Sequence, residues 1–268
     1  MTAKPRVLII SRARPGILRT VRQLILLAAA AVAGAINAVA GGGTLVTFPT
    51  LVWLGVPSIV AAATNTLSIW PGSLGGAWGY RRELRGVERD VFFLIVPSVV
   101  GGLAGAVLLD PTPTATFDRL VPFLILFATG LFMAQEPIQR RFNLAGAHQS
   151  GSPWLSWTMA FQFGVAVYGG YFGAGIGILM LAALTLMGHT YIHRMNGVKN
   201  LLTMAINGAA AIYFAFNTPV LWSDVLVMAV GSIAGGMGGA GMARRIGQQN
   251  VRRLVVAIGF GSAISLLF

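Results

Sequence analysis

Apolar residues in this chain come in blocks whose lengths match the thickness of a lipid bilayer. They run over Leu24–Ala40, Ile59–Ala77, Val91–Leu109, Leu120–Met133, Trp154–Leu186, Leu201–Phe216, Val225–Met242 and Val251–Phe268. A hydrocarbon core of ~30 Å is spanned by about 20 apolar residues in a helix. Of the 268 residues only 10% are charged and 56% are hydrophobic, whereas a soluble domain carries roughly 25% charged residues. Backbone groups in lipid must be paired internally, and a helix does this within one segment. The sequence therefore predicts an all-α polytopic membrane protein of about eight transmembrane segments.

Several functions are excluded at once. The chain has no cysteine, which removes disulfide scaffolds, iron–sulfur clusters and thiolate metal sites. The seven acidic residues stand at or near block ends, so no buried carboxylate pair is expected for acid–base chemistry. A net charge of +12 would suggest nucleic acid in a soluble protein. Here the arginines gather in short connections, where positive charge sets orientation against the cytoplasm. No nucleic-acid partner is expected. Lys4, Arg6, Arg12, Arg14, Arg19 and Arg22 precede the first apolar block as a signal peptide's basic region would. That block has an internal counterpart, so it reads as an uncleaved helix behind a cytoplasmic tail.

The counterpart shows that the chain has two related halves. Gly34-Ala-Ile-Asn37-Ala-Val-Ala-Gly41-Gly42-Gly43-Thr44 leads into an apolar run to Gly55, and Gly169-Gly-Tyr-Phe-Gly173-Ala-Gly175-Ile-Gly177 into one ending at Gly188. Ala63-Thr64-Asn65 then corresponds to Val198-Lys199-Asn200. The boundaries are a basic N-tail at 1–22, a first half at 23–135, a linker at 136–153 and a second half at 154–268. The N-tail, Arg81–Arg89, Arg140–Arg141 and Arg244–Arg253 should face the cytoplasm, and the connections at Asp110–Thr116 and Asn217–Asp224 should face out. Equivalent loops thus fall on opposite sides, which marks an inverted repeat. Inversion needs an odd number of crossings between equivalent points, and the glycine-broken segments could supply it by turning back as half-helices.

Three groups could carry chemistry. Glycines let backbone leave helical geometry and let a ligand approach N–H groups. A helix broken in mid-membrane also exposes its positive end to an anion. This makes Asn37, Gly41, Gly42, Gly43 and Thr44 candidates in the first half, with Gly173, Gly175 and Gly177 in the second; tight helix packing is the structural alternative. Asn196, Asn200, Thr203 and Asn207 follow helical spacing along one stripe. Lys199 borders that stripe and is the one lysine beyond the N-tail. An ionisable group inside a membrane segment points to function, although a lysine near a helix end can also snorkel. In the first half Thr64, Asn65 and Ser68 occupy the equivalent helix, before Pro71-Gly72-Ser73. His189 and His193 lack a third ligand, so no metal is expected. No cofactor fingerprint and no nucleophile–base set occurs, so the chain does not read as an enzyme.

These stretches resemble the TauE/SafE family of sulfite exporters, also called the 4-toluene sulfonate uptake permease family. The resemblance rests on Gly34–Gly43, Ala63-Thr64-Asn65, Pro71-Gly72-Ser73-Leu74, Tyr80-Arg81-Arg82, Tyr168–Gly177 and Lys199-Asn200-Leu201-Leu202. It implies a secondary transporter of the bacterial inner membrane that exports a sulfite-, sulfonate- or sulfoacetate-type anion, with proton linkage open. The glycine breaks and the polar helix after each would form the central site. Some members carry a lysine after the first Thr-Asn where this chain has Thr66, so a two-cation site is not expected. The expected partners are a small anion and the lipid bilayer, with a homodimer left open. An anion channel or a non-transporting membrane scaffold remains the alternative.

Overall fold

The computed structural model describes residues 15–39, 41–82, 84, 92–143, 152–186, 192–246 and 248–267. Among these the chain is helical, with α1 Pro15–Val39, α2 Thr44–Trp53, α3 Ser58–Gly79, α4 Ile95–Leu109, α5 Thr114–Asn143, α6 Ser152–Tyr171, α7 Ile176–Leu186, α8 Ile192–Asn217, α9 Trp222–Ile246 and α10 Gln248–Leu267. The all-helical fold expected of the chain is present. Residues 144–151 of the expected linker, together with Gly188 and His189, lie outside the described residues, and α5 continues into the linker as far as Asn143.

Both glycine clusters break a helix. Gly41 has φ +80° and Gly173 has φ +81°, a left-handed conformation that costs a residue with a Cβ and costs glycine little. α1 therefore stops at Val39 and α2 restarts at Thr44, while α6 stops at Tyr171 and α7 restarts at Ile176. Pro71 behaves differently. It lies inside the unbroken α3, where the nearby carbonyl of Ser68 accepts a 2.7 Å hydrogen bond from Ser232 Oγ.

Polar side chains fix which helix ends lie together. Arg22, early in α1, pairs with Asp224 in the first turn of α9 at 2.6 Å. It also donates to the carbonyl of Leu54, just past α2, at 3.4 Å. Ser58 donates to Asp118 of α5, Thr218 donates to Asp110 at 3.1 Å, and the Leu221 amide donates to Thr64 at 3.2 Å. One end of the bundle thus holds the starts of α1, α3, α5 and α9. At the other end Tyr80 and Leu84 lie against Gly197, and Gln162 of α6 donates to Ser98 of α4 at 2.8 Å. Since α2 ends beside Arg22, α1 and α2 form a hairpin that returns to its own side.

That hairpin separates two basic segments that the sequence reading grouped together. The N-tail was grouped with Arg81–Arg89 and the other basic connections. The structure puts α1's start with Asp224 and Asp110, at the end opposite Arg81. Loop charge could not reveal this, because the chain turns back at Gly41 instead of running on to the far end of the bundle. Arg85 and Arg89 lie outside the described residues, as do residues 1–14.

The packing repeats itself between the halves. α1 lies on α9 as α6 lies on α4; α3 lies on α9 as α8 lies on α4; α2 touches α10 as α7 touches α5. α3 also packs on α8, and α5 on α10. Glycine makes the tightest of these contacts possible, with Gly235 against the Ala31 carbonyl in one seam and Gly105 against the Val167 carbonyl in the other. Without a hydrophobic force between helices in lipid, such close backbone approach is a main source of association. Trp53, Trp78 and Trp222 are exposed at helix ends, as interfacial aromatics should be. Trp70 departs from that pattern: it sits within α3, against Gly208 of α8.

Candidate functional site

The two helix breaks meet. A Cβ added to Gly41 would lie 2.5 Å from Cα of Gly177, and one added to Gly177 would lie 2.6 Å from Cα of Gly41. No residue but glycine fits on either side of this contact. Gly173 faces Thr44 across the same junction. The ends of α1 and α6 and the starts of α2 and α7 therefore converge on one place.

A narrow cavity of about 10 Å³ opens there, lined by Asn37, Gly41, Thr44, Ser73, Gly173, Ile176, Gly177, Asn200, Thr203 and Asn207. At its present width it has room for about one water molecule. Its walls are amide and hydroxyl side chains with glycine backbone, and none of its lining residues is titratable. Three members of the α8 stripe, Asn200, Thr203 and Asn207, point into it from successive turns.

Lys199 stands behind the cavity wall. Its side chain is 1% exposed, so it does not snorkel to an interface. Nζ donates to the carbonyls of Asn37 at 2.7 Å and Ala38 at 3.3 Å, and Asn200 Nδ2 adds a 3.4 Å bond to Ala38. The last carbonyls of a helix have no partner within the helix. α1 ends away from water, so those groups need another donor. Lys199 and Asn200 supply it, and the lysine charge also opposes the negative end of the α1 dipole. Its Cδ would lie 3.1 Å from a Cβ on Gly177, so cap and cavity are in direct contact.

The remaining candidates divide by what they touch. Gly43 donates its N–H to Asn37 Oδ1 at 2.7 Å and packs against the Ala33 carbonyl. Gly175 faces Ala128 of α5, and Gly42 is buried without lining the cavity. Asn65 accepts from Thr47 at 2.5 Å and donates to Thr44 Oγ1 at 3.5 Å, tying α3 to α2. Thr64 bonds to the Leu221 amide, and Ser68 donates to the Thr64 carbonyl at 2.6 Å. Asn196 is buried one turn beyond Asn200, with its Oδ1 unpartnered. Of the residues the sequence singled out, Asn37, Gly41, Thr44, Gly173, Gly177, Asn200, Thr203 and Asn207 come together around one space. Ser73 and Ile176 join them; Ser73 was visible as the polar residue after Pro71-Gly72, while Ile176 carried no polar signal.

Comparison with known proteins identifies relatives along most of the chain. The family profile described as Sulfite exporter TauE/SafE matches residues 26–266. A Haemophilus influenzae protein named "Probable membrane transporter protein" is 30% identical over 244 residues, covering 88% of this chain and 91% of the relative. A Sinorhizobium protein, "Probable membrane transporter protein ORF9", is 28% identical over 243 residues, covering 90% and 91%. The Escherichia coli K12 protein "Probable membrane transporter protein YfcA" is 28% identical over 247 residues, covering 89% and 87%.

Proposed function

Because the chain belongs to the TauE/SafE sulfite exporter family, we propose that this membrane transporter exports a small sulfur-containing anion, of the sulfite, sulfonate or sulfoacetate type, through the cavity at Gly41 and Gly177. The protein is a multi-pass protein of the bacterial inner membrane. The observation that carries the reading is the convergence of both helix breaks on one polar, acid-free space. Amide and hydroxyl donors from Asn200, Asn207 and Thr44 suit the oxygens of a tetrahedral or pyramidal oxyanion.

In this reading the halves form an inverted repeat. Each contributes one re-entrant pair, α1–α2 or α6–α7, followed by full crossings at α3, α4 and α5 or at α8, α9 and α10. Three crossings between equivalent points give the inversion. α2 has 10 residues and α7 has 11, so at 1.5 Å per residue each reaches about 15 Å from the junction. They run to opposite ends, and together they match the ~30 Å hydrocarbon core. The cavity then lies at the bilayer midplane, where such repeats hold their substrates. The end bearing Arg81 and Arg82 faces the cytoplasm. Substrate enters when the halves part at the Gly41–Gly177 contact, first toward one side and then the other.

A thermal-shift screen of sulfite, methanesulfonate, sulfoacetate and carboxylates on detergent-purified protein tests this. A ligand of the folded state raises apparent stability by RT ln(1 + [L]/Kd). Stabilisation by a sulfur oxyanion supports the reading, and a response confined to carboxylates would replace it.

A further inference from the structure

Charge counting at the junction narrows the ligand further, given the anion-transport reading above. A helix carries about half an elementary charge at each end, positive at the N-terminus and negative at the C-terminus. Two C-terminal ends, at Val39 and Tyr171, and two N-terminal ends, at Thr44 and Ile176, meet at the cavity. Their contributions cancel in pairs. What remains is the single positive charge that Lys199 carries when protonated, with its Nζ held by the carbonyls of Asn37 and Ala38.

Among the described residues no other ionised side chain lines the cavity; on α8 itself Arg194 stands five residues before Lys199, half-buried and away from the cavity lining. Against α8, the helices α3, α4 and α7 carry no titratable residue, and α6 carries Tyr168 and Tyr171, neither lining the cavity. α1 brings Arg19 and Arg22 at its far start, where Arg22 is paired with Asp224. The carboxylates of Asp110, Asp118 and Asp224 stand at that same end. A charge left uncompensated in a low-dielectric site is costly, so the bound state is favoured when ligand and lysine sum to zero.

We propose that the site takes singly charged oxyanions: a sulfonate or hydrogensulfite binds directly, whereas a dianion binds only after gaining a proton. Hydrogensulfite and simple sulfonates are then preferred over doubly charged sulfoacetate.

The test measures apparent affinity by thermal shift on the purified full-length protein between pH 6 and 8. Methanesulfonate is a monoanion throughout this range and sulfate a dianion, while sulfite passes from one form to the other. Methanesulfonate also controls for any titration of Lys199, so the ratio of sulfite to methanesulfonate affinity reads ligand charge alone. The ratio is expected to fall about tenfold for each pH unit once sulfite is mostly dianionic, and sulfate should bind at least a hundredfold more weakly than methanesulfonate. Equal binding of sulfate and methanesulfonate would overturn the proposal, as would a ratio that is constant or rises with pH. Acetate and succinate separate it from the choice of sulfur. Acetate binding without succinate, and without any sulfur anion, keeps the charge rule while sinking the sulfur reading; no stabilisation by any of these anions sinks both. Lys199→Arg, which retains the charge and can still cap the carbonyls, is expected to keep the preference for monoanions.

Discussion

The ammonium of Lys199 on α8 donates a 2.7 Å hydrogen bond to the carbonyl of Asn37 at the end of α1. This bond joins the second half of the chain to the broken helix of the first. The one buried lysine described thus has a structural partner before any anion arrives.

Two effects should follow from Lys199→Met. Leaving the Asn37 and Ala38 carbonyls short of donors away from water should cost about 1–3 kcal/mol, lowering the thermal midpoint of the purified protein. Removing the charge should also abolish anion-induced stabilisation. Lys199→Arg should recover most of the midpoint and part of the anion response. If Lys199→Met matches the parent in both, the lysine is neither cap nor counter-charge.

Gly177→Ala tests the junction. Its new Cβ has no room against Gly41, so the two breaks must separate, and transport should drop at least tenfold while the protein still inserts. Gly130→Ala and Gly164→Ala are the controls. Neither Cβ would meet any atom within 4 Å, and both sites lie inside helices, where alanine is favoured over glycine by about 0.5–1 kcal/mol. Both should transport normally with an equal or higher midpoint. Normal flux through Gly177→Ala would show that the contact is not part of the pathway.

Asn65 and Asn207 look alike in sequence but should fail differently. Asn65 ties α3 to α2 through Thr47 and Thr44, so Asn65→Ala should lower the midpoint by the cost of unpaired buried hydroxyls, about 1–3 kcal/mol, yet keep an anion response. Asn207 lines the cavity. Asn207→Ala should leave the midpoint near the parent's and lose most of the anion response. The reverse pattern would exchange their roles.

These contrasts show what could be read from the chain. The helix breaks were legible because glycine clusters interrupt runs too long for one ordinary crossing, and the α8 stripe because its 3.6-residue period survives in one dimension. The meeting of Gly41 with Gly177 was not legible, since it depends on how two distant segments fold back. For the same reason Lys199 read as a free charge rather than a cap: its carbonyl partners lie 162 and 161 residues away. The Arg22–Asp224 pair was hidden by the same hairpin, because loop charges report sides only when every crossing has been counted.

The sides themselves can be measured, because the chain has no cysteine and any introduced one is unique. Thr112→Cys lies at the exposed end shared with α1's start, and Arg81→Cys at the exposed opposite end. A membrane-impermeant thiol reagent should label Arg81→Cys from the cytoplasm and Thr112→Cys from outside. Labelling of both from one side contradicts three crossings per half.

The most direct test of the paired breaks as a transport site is flux of radiolabelled sulfite in proteoliposomes, comparing the parent chain with Gly177→Ala. The account predicts saturable, gradient-driven sulfite flux in the parent and at least a tenfold loss in the variant at equal reconstitution. Flux that fails to saturate, or that is equal in the two proteins, would contradict it.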